Sequence, residues 1–369
     1  MKPILVIADD LTGAAEIGGV ALRYGLSAQI VHSVTEPITT DILIVNTNSR
    51  SMKIDRALSH LASVLPSQSI VDWSWIYLKF DSALRGHMRE EIPFYKTAFC
   101  AQQVFFCPVN PKMGRLIRNG VYVVQGVPIA ETDFKHDPEF PVRESDILQI
   151  MGPENWALQT EPKLIPDDRF FLIPAVAEGE TLDRWADCLP KNALFAGAAA
   201  FFEALLRNRL EHGELLDSRI DAVQGQQLYI CGSKHESSLR RLRELAPEEI
   251  VYWQKAGGEW HVAQELEQAL RKKERVVFAV ATDTDSEARV IRKSMATSIA
   301  MLNEQYALQE LVIEGGATAR AVLKALQIDA LRPIQEKGAG VITCAVPDTE
   351  IYVTLKPGSY PWTKELWAF

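Results

Sequence analysis

The chain has 369 residues, of which 47% are hydrophobic and 24% are charged, and its formal net charge is −9. This length favours two domains of unequal size, and the composition is that of an ordinary globular protein rather than a disordered or fibrous one. The negative charge excludes general attraction to nucleic acid or to an anionic membrane. An anionic ligand would therefore need a local cluster of cations and backbone N–H groups.

The five cysteines include no C-x-x-C pair, which is typical of reduced thiols in a cytoplasmic protein. The chain reaches Asp9 after one short apolar run, so we predict no signal peptide. The most apolar later stretch, residues 193–202, is too short to span a bilayer. We expect a soluble, cytoplasmic protein.

Short β-rich runs alternate with helical patterns in the first half of the chain. Strands are predicted over residues 4–8, 27–32, 41–47, 75–80 and 103–109, and helices over residues 14–24, 51–65 and 90–100. This alternation predicts an α/β fold with a mostly parallel sheet and flanking helices. Gln125-Gly126 joins two short alternating runs and predicts a hairpin. A surface loop over residues 134–147 is expected to lead into a helix capped by Ser145.

A second series of elements begins near Gln226. Strands are predicted over residues 227–233, 275–283, 308–316 and 351–359, and helices over residues 237–245, 260–273 and 317–326. The mixed, charged segment 210–225 is the predicted boundary. We place the first domain at residues 1–222 and the second at 223–369, each with a mostly parallel sheet and flanking helices.

Two adjacent carboxylates, Asp9 and Asp10, follow the first predicted strand, and Thr12 and Gly13 come next. Ligands of open α/β sheets bind beyond the carboxyl ends of the strands. The structural alternative is that Asp10 or Thr12 caps the following helix. A cap explains one carboxylate but not two, because adjacent like charges repel unless a cation or a substrate hydroxyl uses them. We therefore predict a functional site here.

The segment after the fourth predicted strand has the same layout, with Lys79, Asp81, Ser82, Arg85 and Gly86 in one short stretch. Lys79 and Asp81 would face the same way in an extended segment, and the guanidinium of Arg85 suits a carboxylate. Ser82 is a candidate cap for the next helix. The alternative is an ordinary ion pair at a strand end. We predict that Asp81 or one of the first two aspartates accepts a proton from a substrate hydroxyl, while Lys79 and Arg85 bind an anion.

The segment from Cys107 to Thr132 has a modestly basic rim. Within it, Arg115 is a candidate anion ligand, and a solvated surface arginine is the alternative. His136, in the loop that follows, fits a structural role as well as a functional one.

Glycine turns follow three predicted strands of the second half. They contain Gly232 and Ser233, Gly315 and Gly316 with Thr318, and Gly358. N–H groups at a helix N-terminus bind anions, and glycine lets a phosphate approach the backbone. Each turn alone is a weak signal, but three in one domain predict a nucleotide cradle.

Several familiar signatures are absent from the sequence, including G-x-x-x-x-G-K-[ST], a strand-linked G-x-G-x-x-G, H-E-x-x-H and G-x-S-x-G. An aspartyl phosphatase is disfavoured because its two aspartates would stand one residue apart, whereas those of this chain are contiguous.

Four segments together, "ADDLTGAAEIGG", "LKFDSALRGHM", the stretch from Cys107 to Ile147 and "EGGATARAVLKAL", resemble the four-carbon acid sugar kinase family in order and spacing. The resemblance covers nearly the whole chain. It implies an N-terminal substrate-binding domain and a C-terminal nucleotide-binding domain. It also implies ATP- and Mg²⁺-dependent phosphorylation of the terminal hydroxyl of acids such as threonate, erythronate or 3-oxo-tetronate.

The residue patterns and the resemblance together give three sets of expected site residues. The predicted catalytic residues are Asp9, Asp10, Lys79, Asp81 and Arg85. The predicted substrate-binding residues are Thr12, Gly13, Ser82, Gly86 and Arg115. The predicted nucleotide-binding residues are Gly232, Ser233, Gly315, Gly316, Thr318 and Gly358.

The second domain departs from the family pattern in three places. Ala317 replaces a glutamate of the Gly-Gly turn, residues 357–361 replace a glycine-flanked closing loop, and Lys234-His235 stand where the family tends to have Cys and Ser. Pro361 removes one N–H from a loop that would wrap phosphate.

The sequence thus predicts a kinase for a small anionic polyhydroxy acid, with ATP and Mg²⁺, and without nucleic-acid or membrane partners. Which aspartate is the base and which helps to hold the metal stays open, as does homodimer formation. Three alternatives remain. They are an acid-sugar-binding protein that has lost catalysis, a kinase for another small hydroxy acid, and a metal-dependent hydrolase or lyase.

Overall fold

The structure is a computed structural model of the chain. It describes residues 2–34, 37–65, 73–137, 139–163, 171–210, 225–232, 236–254, 257–281, 284, 286–358, 360, 362–363, 366–367 and 369. The chain divides into two compact units, Met1–Leu216 and Asp217–Phe369. The boundary predicted at residue 222 lies outside the described residues.

The described part of the first unit contains eleven strands, which are β1 (Ile4–Ala8), β2 (Ala28–Val31), β3 (Ile42–Asn46), β4 (Ile76–Lys79), β5 (Val104–Cys107), β6 (Arg115–Arg118), β7 (Val121–Val124), β8 (Val127–Pro128), β9 (Trp156–Gln159), β10 (Phe171–Pro174) and β11 (Leu194–Gly197). Eight of them form a parallel sheet in the order β2-β3-β1-β4-β11-β5-β10-β9. The carboxyl ends of these strands therefore lie at one edge. The strands β6, β7 and β8 form a small antiparallel sheet, and the predicted hairpin at Gln125-Gly126 joins β7 to β8.

The helices described in the first unit are α1 (Leu11–Arg23), α2 (Ile54–Val64), α3 (Met88–Ala98), α4 (Ile147–Met151), α5 (Gly179–Cys188) and α6 (Ala199–Arg209). Helix α1 is rich in glycine and alanine, and most of its residues are buried, so its backbone lies close to the sheet. Two predicted caps are wrong. Asp146 caps α4 by accepting the N–H groups of Leu148 and Gln149, while Ser145 Oγ accepts the N–H of Ala130. Helix α3 begins after His87 without a side-chain cap, so Ser82 does not cap it.

The second unit has seven described strands, β12 (Gln227–Cys231), β13 (Ile250–Trp253), β14 (Arg275–Val280), β15 (Glu310–Glu314), β16 (Ala330–Gly338), β17 (Val341–Ala345) and β18 (Tyr352–Lys356). Its described helices are α7 (Glu236–Arg243), α8 (Gly258–Leu270), α9 (Ala288–Asn303) and α10 (Gly316–Ala325). The strand order is β13-β14-β12-β15-β18-β17-β16. The first five strands are parallel, and β16 and β17 complete the sheet as an antiparallel hairpin.

The predicted α/β class is confirmed for both units. No elements were predicted for residues 151–210, whose described part contains α5, α6 and three strands of the first sheet. Strand β13, helix α9 and the β16–β17 hairpin were also not predicted. Among the described residues, no helix combines the length and the apolar character that a bilayer crossing requires.

Gly197, at the end of β11, shows how tightly the carboxyl edge of the first sheet is packed. Its φ is +150°, and a Cβ at this position would lie 2.0 Å from the carbonyl oxygen of Cys107. The neighbouring strand is fixed by pairing along β5, so this contact cannot relax without breaking the ladder.

We therefore expect Gly197→Ala to destabilise the protein by about 3 kcal/mol or more. The matched control is Gly126→Ala, where φ is +84° and no atom lies within 4 Å of the new Cβ. The control should cost only the backbone strain of about 1–2 kcal/mol. Chemical denaturation measures both values, and equal losses would contradict the close packing at Gly197.

Candidate active site

The two carboxylates that follow β1 are held together by one guanidinium. Arg50 Nε and Nη2 donate to the two carboxylate oxygens of Asp9 at 2.8 and 2.6 Å. Arg50 Nη1 lies 2.8 Å from Oδ2 of Asp10. Strands β1 and β3 are parallel neighbours, so Arg50, four residues beyond β3, reaches the end of β1. The repulsion between the adjacent aspartates is thus offset by a single shared cation.

The environment separates the pKa values of these two aspartates. Burial raises the pKa of Asp9 to about 6, although the charge and hydrogen bonds of Arg50 act in the opposite direction. Burial also opposes ionisation of Asp10, but the Arg50 charge and a hydrogen bond from Thr12 outweigh it and lower the pKa of Asp10. Such separation within a pair of titratable groups is typical of functional sites.

Asp10 also serves as the N-cap of α1. Its Oδ1 accepts the N–H of Gly13 at 2.8 Å, and its Oδ2 accepts the hydroxyl of Thr12 at 2.6 Å. The capping alternative for this segment is therefore correct for Asp10, while Asp9 makes no cap contact. A Cβ at Gly13 would lie 2.7 Å from Asp10 Oδ1 and 3.2 Å from Lys79 Nζ, so a glycine is needed there.

Lys79, the last residue of β4, is buried and pairs with a residue of α1. Its Nζ lies 3.1 Å from Glu16 Oε2 and donates to the carbonyl oxygen of Phe80 at 3.1 Å. The sequence prediction gave Lys79 an anion-binding role. In the structure its charge is already neutralised by Glu16, which the sequence reading did not single out.

Asp81 and Arg85 form a short ion pair just beyond β4. Arg85 Nη1 also lies 3.6 Å from Oδ2 of Asp137, in the loop that precedes α4. Burial opposes ionisation of Asp81, but the charges of Arg85 and Arg50 bring its pKa well below the ordinary value. Asp81 is therefore an ionised acceptor throughout the physiological pH range. Arg85, like Lys79, has carboxylate partners within the protein.

Arg115, in β6, is buried at 5% exposure. Its Nη1 donates to Ser82 Oγ at 2.5 Å, and its guanidinium lies over the ring of Phe134 at 5.3 Å. Within the described part of the chain, no carboxylate forms an ion pair with Arg115, and its Nε has no hydrogen-bond partner. The surface alternative for Arg115 is thus wrong, because this cation is buried and forms no ion pair with a described carboxylate.

Gly86 brings the backbone after Asp81 against the Asp9–Arg50 pair. Its φ is +108°, and a Cβ there would lie 3.1 Å from Asp9 Oδ2 and 3.3 Å from Arg50 Cγ. The segments after β1, β3 and β4 therefore meet at one place, as the sequence analysis expected for the first and third of them. His136, by contrast, is exposed.

Glu91, on α3, is a further buried acid that the sequence reading missed. It is 1% exposed. Burial raises its pKa to about 8, and the charge of Asp9 adds to this shift. Near neutral pH the group therefore favours its protonated form.

The glycine turns of the second unit also converge. Strands β12, β15 and β18 are parallel neighbours, so the turns that follow them share one edge. The N–H of Gly315 donates to the carbonyl oxygen of Lys356 at 2.8 Å, and a Cβ at Gly358 would lie 3.9 Å from Gly315 Cα. A Cβ at Gly232 would lie 2.8 Å from Thr318 Oγ1.

The backbone at these turns is accessible to a ligand. Gly315 has φ +87° with no atom within 4 Å of an added Cβ, and Gly316 begins the ten-residue helix α10. A helix N-terminus with bare backbone in front of it suits a phosphate group. Ser233, Lys234, His235, Ser359 and Pro361 lie outside the described residues.

A buried ion pair supports two of the three turns. Lys356 Nζ lies 2.8 Å from Glu314 Oε1, and both side chains are fully buried. Ser238 of α7 donates to the same oxygen at 2.8 Å. The pair fixes the ends of β15 and β18 directly before Gly315 and Gly358.

No group of three or more His, Cys, Asp or Glu side chains among the described residues is arranged to hold a metal ion. Both oxygens of Asp9 and one of Asp10 face Arg50. The described carboxylates of the first unit thus do not fit a resident Mg²⁺ site. Mg²⁺ commonly binds through substrate phosphates and a few waters instead.

Two family models match the chain. A sugar-binding N-terminal domain matches residues 4–160, and a nucleotide-binding C-terminal domain matches residues 226–360. A D-threonate kinase of Salmonella typhimurium is 28% identical over 92% of this chain and 90% of its own length. A 3-oxo-tetronate kinase of Pseudomonas fluorescens is 22% identical over 97% of this chain and 94% of its own length. A crystal structure of a Haemophilus influenzae protein, 19% identical, covers 98% of both chains with a TM-score of 0.73 and supports the fold.

These matches define a protein with a sugar-binding domain followed by a nucleotide-binding domain. The chain belongs to the four-carbon acid sugar kinase family, which confirms the resemblance seen in the sequence.

Arg50 offers a test of the carboxylate cluster that is independent of activity. Arg50→Met leaves Asp9 and Asp10 without their cation, and breaking a buried pair costs about 3–5 kcal/mol. The loss of the cation raises the pKa of Asp9 above its present value of about 6, because Arg50 lowers it. Below the new pKa Asp9 is neutral, so we expect a larger loss of unfolding free energy at pH 8 than at pH 5.

The matched control for Arg50→Met is Arg207→Met. Arg207 pairs with Asp183 at the surface, and both side chains are about half exposed. The control should change stability by at most about 1 kcal/mol. Denaturation at both pH values measures the difference. A loss for Arg50→Met no greater than that of the control would contradict the central role of this cation.

Proposed function

We propose that this protein transfers the γ-phosphoryl group of ATP to the terminal hydroxyl of a four-carbon acid sugar. Family membership and the activities for which the related D-threonate and 3-oxo-tetronate kinases are named support a kinase of this class. The acid sugar is assigned to the carboxyl edge of the first sheet, and the nucleotide to the glycine turns of the second unit.

The observation that carries the assignment of the acid is the state of Arg115. Lys79 and Arg85 have carboxylate partners in the protein, whereas no described carboxylate pairs with Arg115. A buried cation without an ion-pair partner is stabilised by an anion, and a guanidinium binds a carboxylate in a fixed orientation. We therefore assign the substrate carboxylate to Arg115, in preference to Arg85 and Lys79.

Asp81 is the best-placed acceptor for the attacking hydroxyl. It is ionised at all physiological pH values, because the charges of Arg85, Arg50 and, without an ion-pair contact, Arg115 lower its pKa. Phosphoryl transfer depends mainly on positioning and charge stabilisation, so an ionised carboxylate that orients the hydroxyl is sufficient. Asp9, buried against Arg50, is assigned to holding that cation in place.

The nucleotide is assigned to Gly232, Gly315, Gly316, Thr318 and Gly358, where the backbone can approach the phosphates. Ala317 adds no negative charge at this turn, and the buried Glu314 is neutralised by Lys356. Mg²⁺ enters with ATP as the usual nucleotide complex, because the described carboxylates do not form a separate site for it.

The test of this function is an ADP-release assay with the threonates, erythronates and 3-oxo-tetronates as acceptors. ADP release that depends on one of these acids supports the proposal. Acid binding by calorimetry without any MgATP binding would overturn it in favour of a binding protein of the same fold. ADP release only with another hydroxy acid would overturn the assigned substrate class.

Arg115→Met should raise the KM for the acid by roughly 100-fold, since a charged hydrogen-bonded pair contributes about 1.5–3 kcal/mol. The KM for ATP should change little, because Arg115 belongs to the first unit. The control is Arg118→Met, at the exposed end of the same strand. Steady-state kinetics distinguishes the outcomes, and equal effects of both variants on the acid KM would contradict the assignment.

Gly358→Ala tests the assignment of the nucleotide to the glycine turns of the second unit. The new methyl group fits without a clash, since its nearest atom is 3.9 Å away, but it occupies backbone space in front of Gly315. We expect a KM for ATP about tenfold higher, corresponding to about 1.4 kcal/mol, with the acid KM unchanged. Gly338→Ala, which also has its nearest atom at 3.9 Å, is the matched control in β16. An unchanged KM for ATP in Gly358→Ala would place the phosphates elsewhere.

A further inference from the structure

A cavity of about 360 Å³ lies in the first unit at the amino ends of β1, β3 and β4. Its walls come from the residues that precede these strands and from the end of α6. The amino ends are the edge opposite to Asp9 and Asp81. A five-residue strand rises about 3.3 Å per residue, so the two edges are roughly 15 Å apart. The cavity is therefore separate from the candidate active site.

Arg209, the last residue of α6, is the most unusual group in this cavity. Its guanidinium lies over the rings of Trp75 and Phe195, at 4.9 and 4.4 Å from their centres. Its one described hydrogen bond is a long contact of 3.5 Å to the carbonyl oxygen of Pro190. Among the described residues, no carboxylate forms an ion pair with it. Burial alone accordingly lowers the pKa of Arg209, to about 10.

Asp41, the acidic residue that lines the cavity, already accepts hydrogen bonds within the protein. One of its carboxylate oxygens accepts the backbone N–H and the hydroxyl of Ser27, at 2.9 and 2.6 Å. Lys2 and Lys191 add two further cations to the wall. The described lining is thus short of negative charge in a chain whose net charge is −9.

Arg209 is partly buried, and charges that lose hydration in proteins are normally paired, because desolvation of an unpaired ion is costly. The two aromatic rings recover part of the lost hydration of Arg209 through cation–π contacts. The N–H groups of Arg209 have one described acceptor, the carbonyl oxygen of Pro190, so the others remain available as donors. An anion in the cavity would accept hydrogen bonds from these N–H groups and neutralise the charge of Arg209.

The other walls define the rest of the ligand. Leu26, Ile38 and Leu206 are apolar and face the same space as Arg209. The volume is in the range of small-molecule pockets, which combine mostly apolar walls with a few fixed polar groups. A fully hydrophilic anion such as phosphate would leave these walls without a partner.

We propose that this cavity is a second ligand site of the protein, which binds a small organic carboxylate with an apolar or aromatic body. The carboxylate pairs with Arg209, and the body of the ligand packs against the apolar walls. The site belongs to the first unit alone and does not depend on the kinase assignment.

The test is ligand-observed ¹⁹F NMR of 4-fluorobenzoate with the full-length protein. We expect line broadening that Arg209→Gln reduces at least tenfold. Arg207→Gln, which removes the half-exposed arginine two residues earlier on α6, is the matched control and should leave the broadening unchanged. Inorganic phosphate at the same concentration should not displace the probe.

A second variant separates the role of the cavity from that of the charge. Ile38→Trp fills the space from its partly exposed rim and keeps Arg209, so it should also abolish broadening while the protein remains folded by circular dichroism. Absence of broadening with the unmodified protein would overturn the proposal. So would broadening that persists in both variants, or displacement of the probe by phosphate alone.

Discussion

The guanidinium of Arg50 joins two carboxylates that would otherwise repel each other at the end of a buried strand. Asp9 and Asp10 lie where β1 leaves the sheet, and water screens their charges poorly because Asp9 is 2% exposed and the Asp10 side chain 18% exposed. Arg50 arrives from the segment after β3, and this position depends on the parallel register of β1 and β3. The carboxylate cluster therefore forms only when β1 and β3 pair in this register. The charge of Arg50 also lowers the pKa of Asp81. Arg50 therefore links the segment after β4 to the segments after β1 and β3.

The distribution of partners among the cations explains how an acidic protein can receive an acidic ligand. At the carboxyl edge of the first sheet, Arg50, Lys79 and Arg85 each have a carboxylate of the protein opposite them. These pairs hold the backbone of the edge in place but leave little charge for a ligand. Arg115 differs because its described partners are a hydroxyl and an aromatic ring. The described glycine turns of the second unit offer main-chain groups, and the buried Lys356 beside them is neutralised by Glu314.

The sequence was sufficient to identify the site residues that directly follow a predicted strand. Apolar runs that end in Asp9, Lys79 and Gly315 marked strand ends, and parallel strands bring such ends to one edge. It was insufficient for partners that come from distant segments. Arg50 follows the strand that ends at Asn46 after a short polar stretch, a layout like that of Asp81 after β4, and attention to that pattern would have found it. Glu16 and Glu91 carry no comparable signal, because a charged residue in a helical pattern is usually solvated and only packing shows that these two face the site. The missed strands between residues 151 and 197 are four residues long each, too short for a clear alternation.

Asp10 has two roles that involve the same carboxylate. It closes the first turn of α1, and it shares Arg50 with its neighbour. A descendant of this protein that had abandoned catalysis would still need that carboxylate to begin the helix and to balance the buried cation. Folding alone therefore restricts which substitutions of Asp10 the protein tolerates. The adjacent acidic pair in a distant relative is consequently a marker of shared architecture, and proof of turnover must come from the groups that contact the ligand.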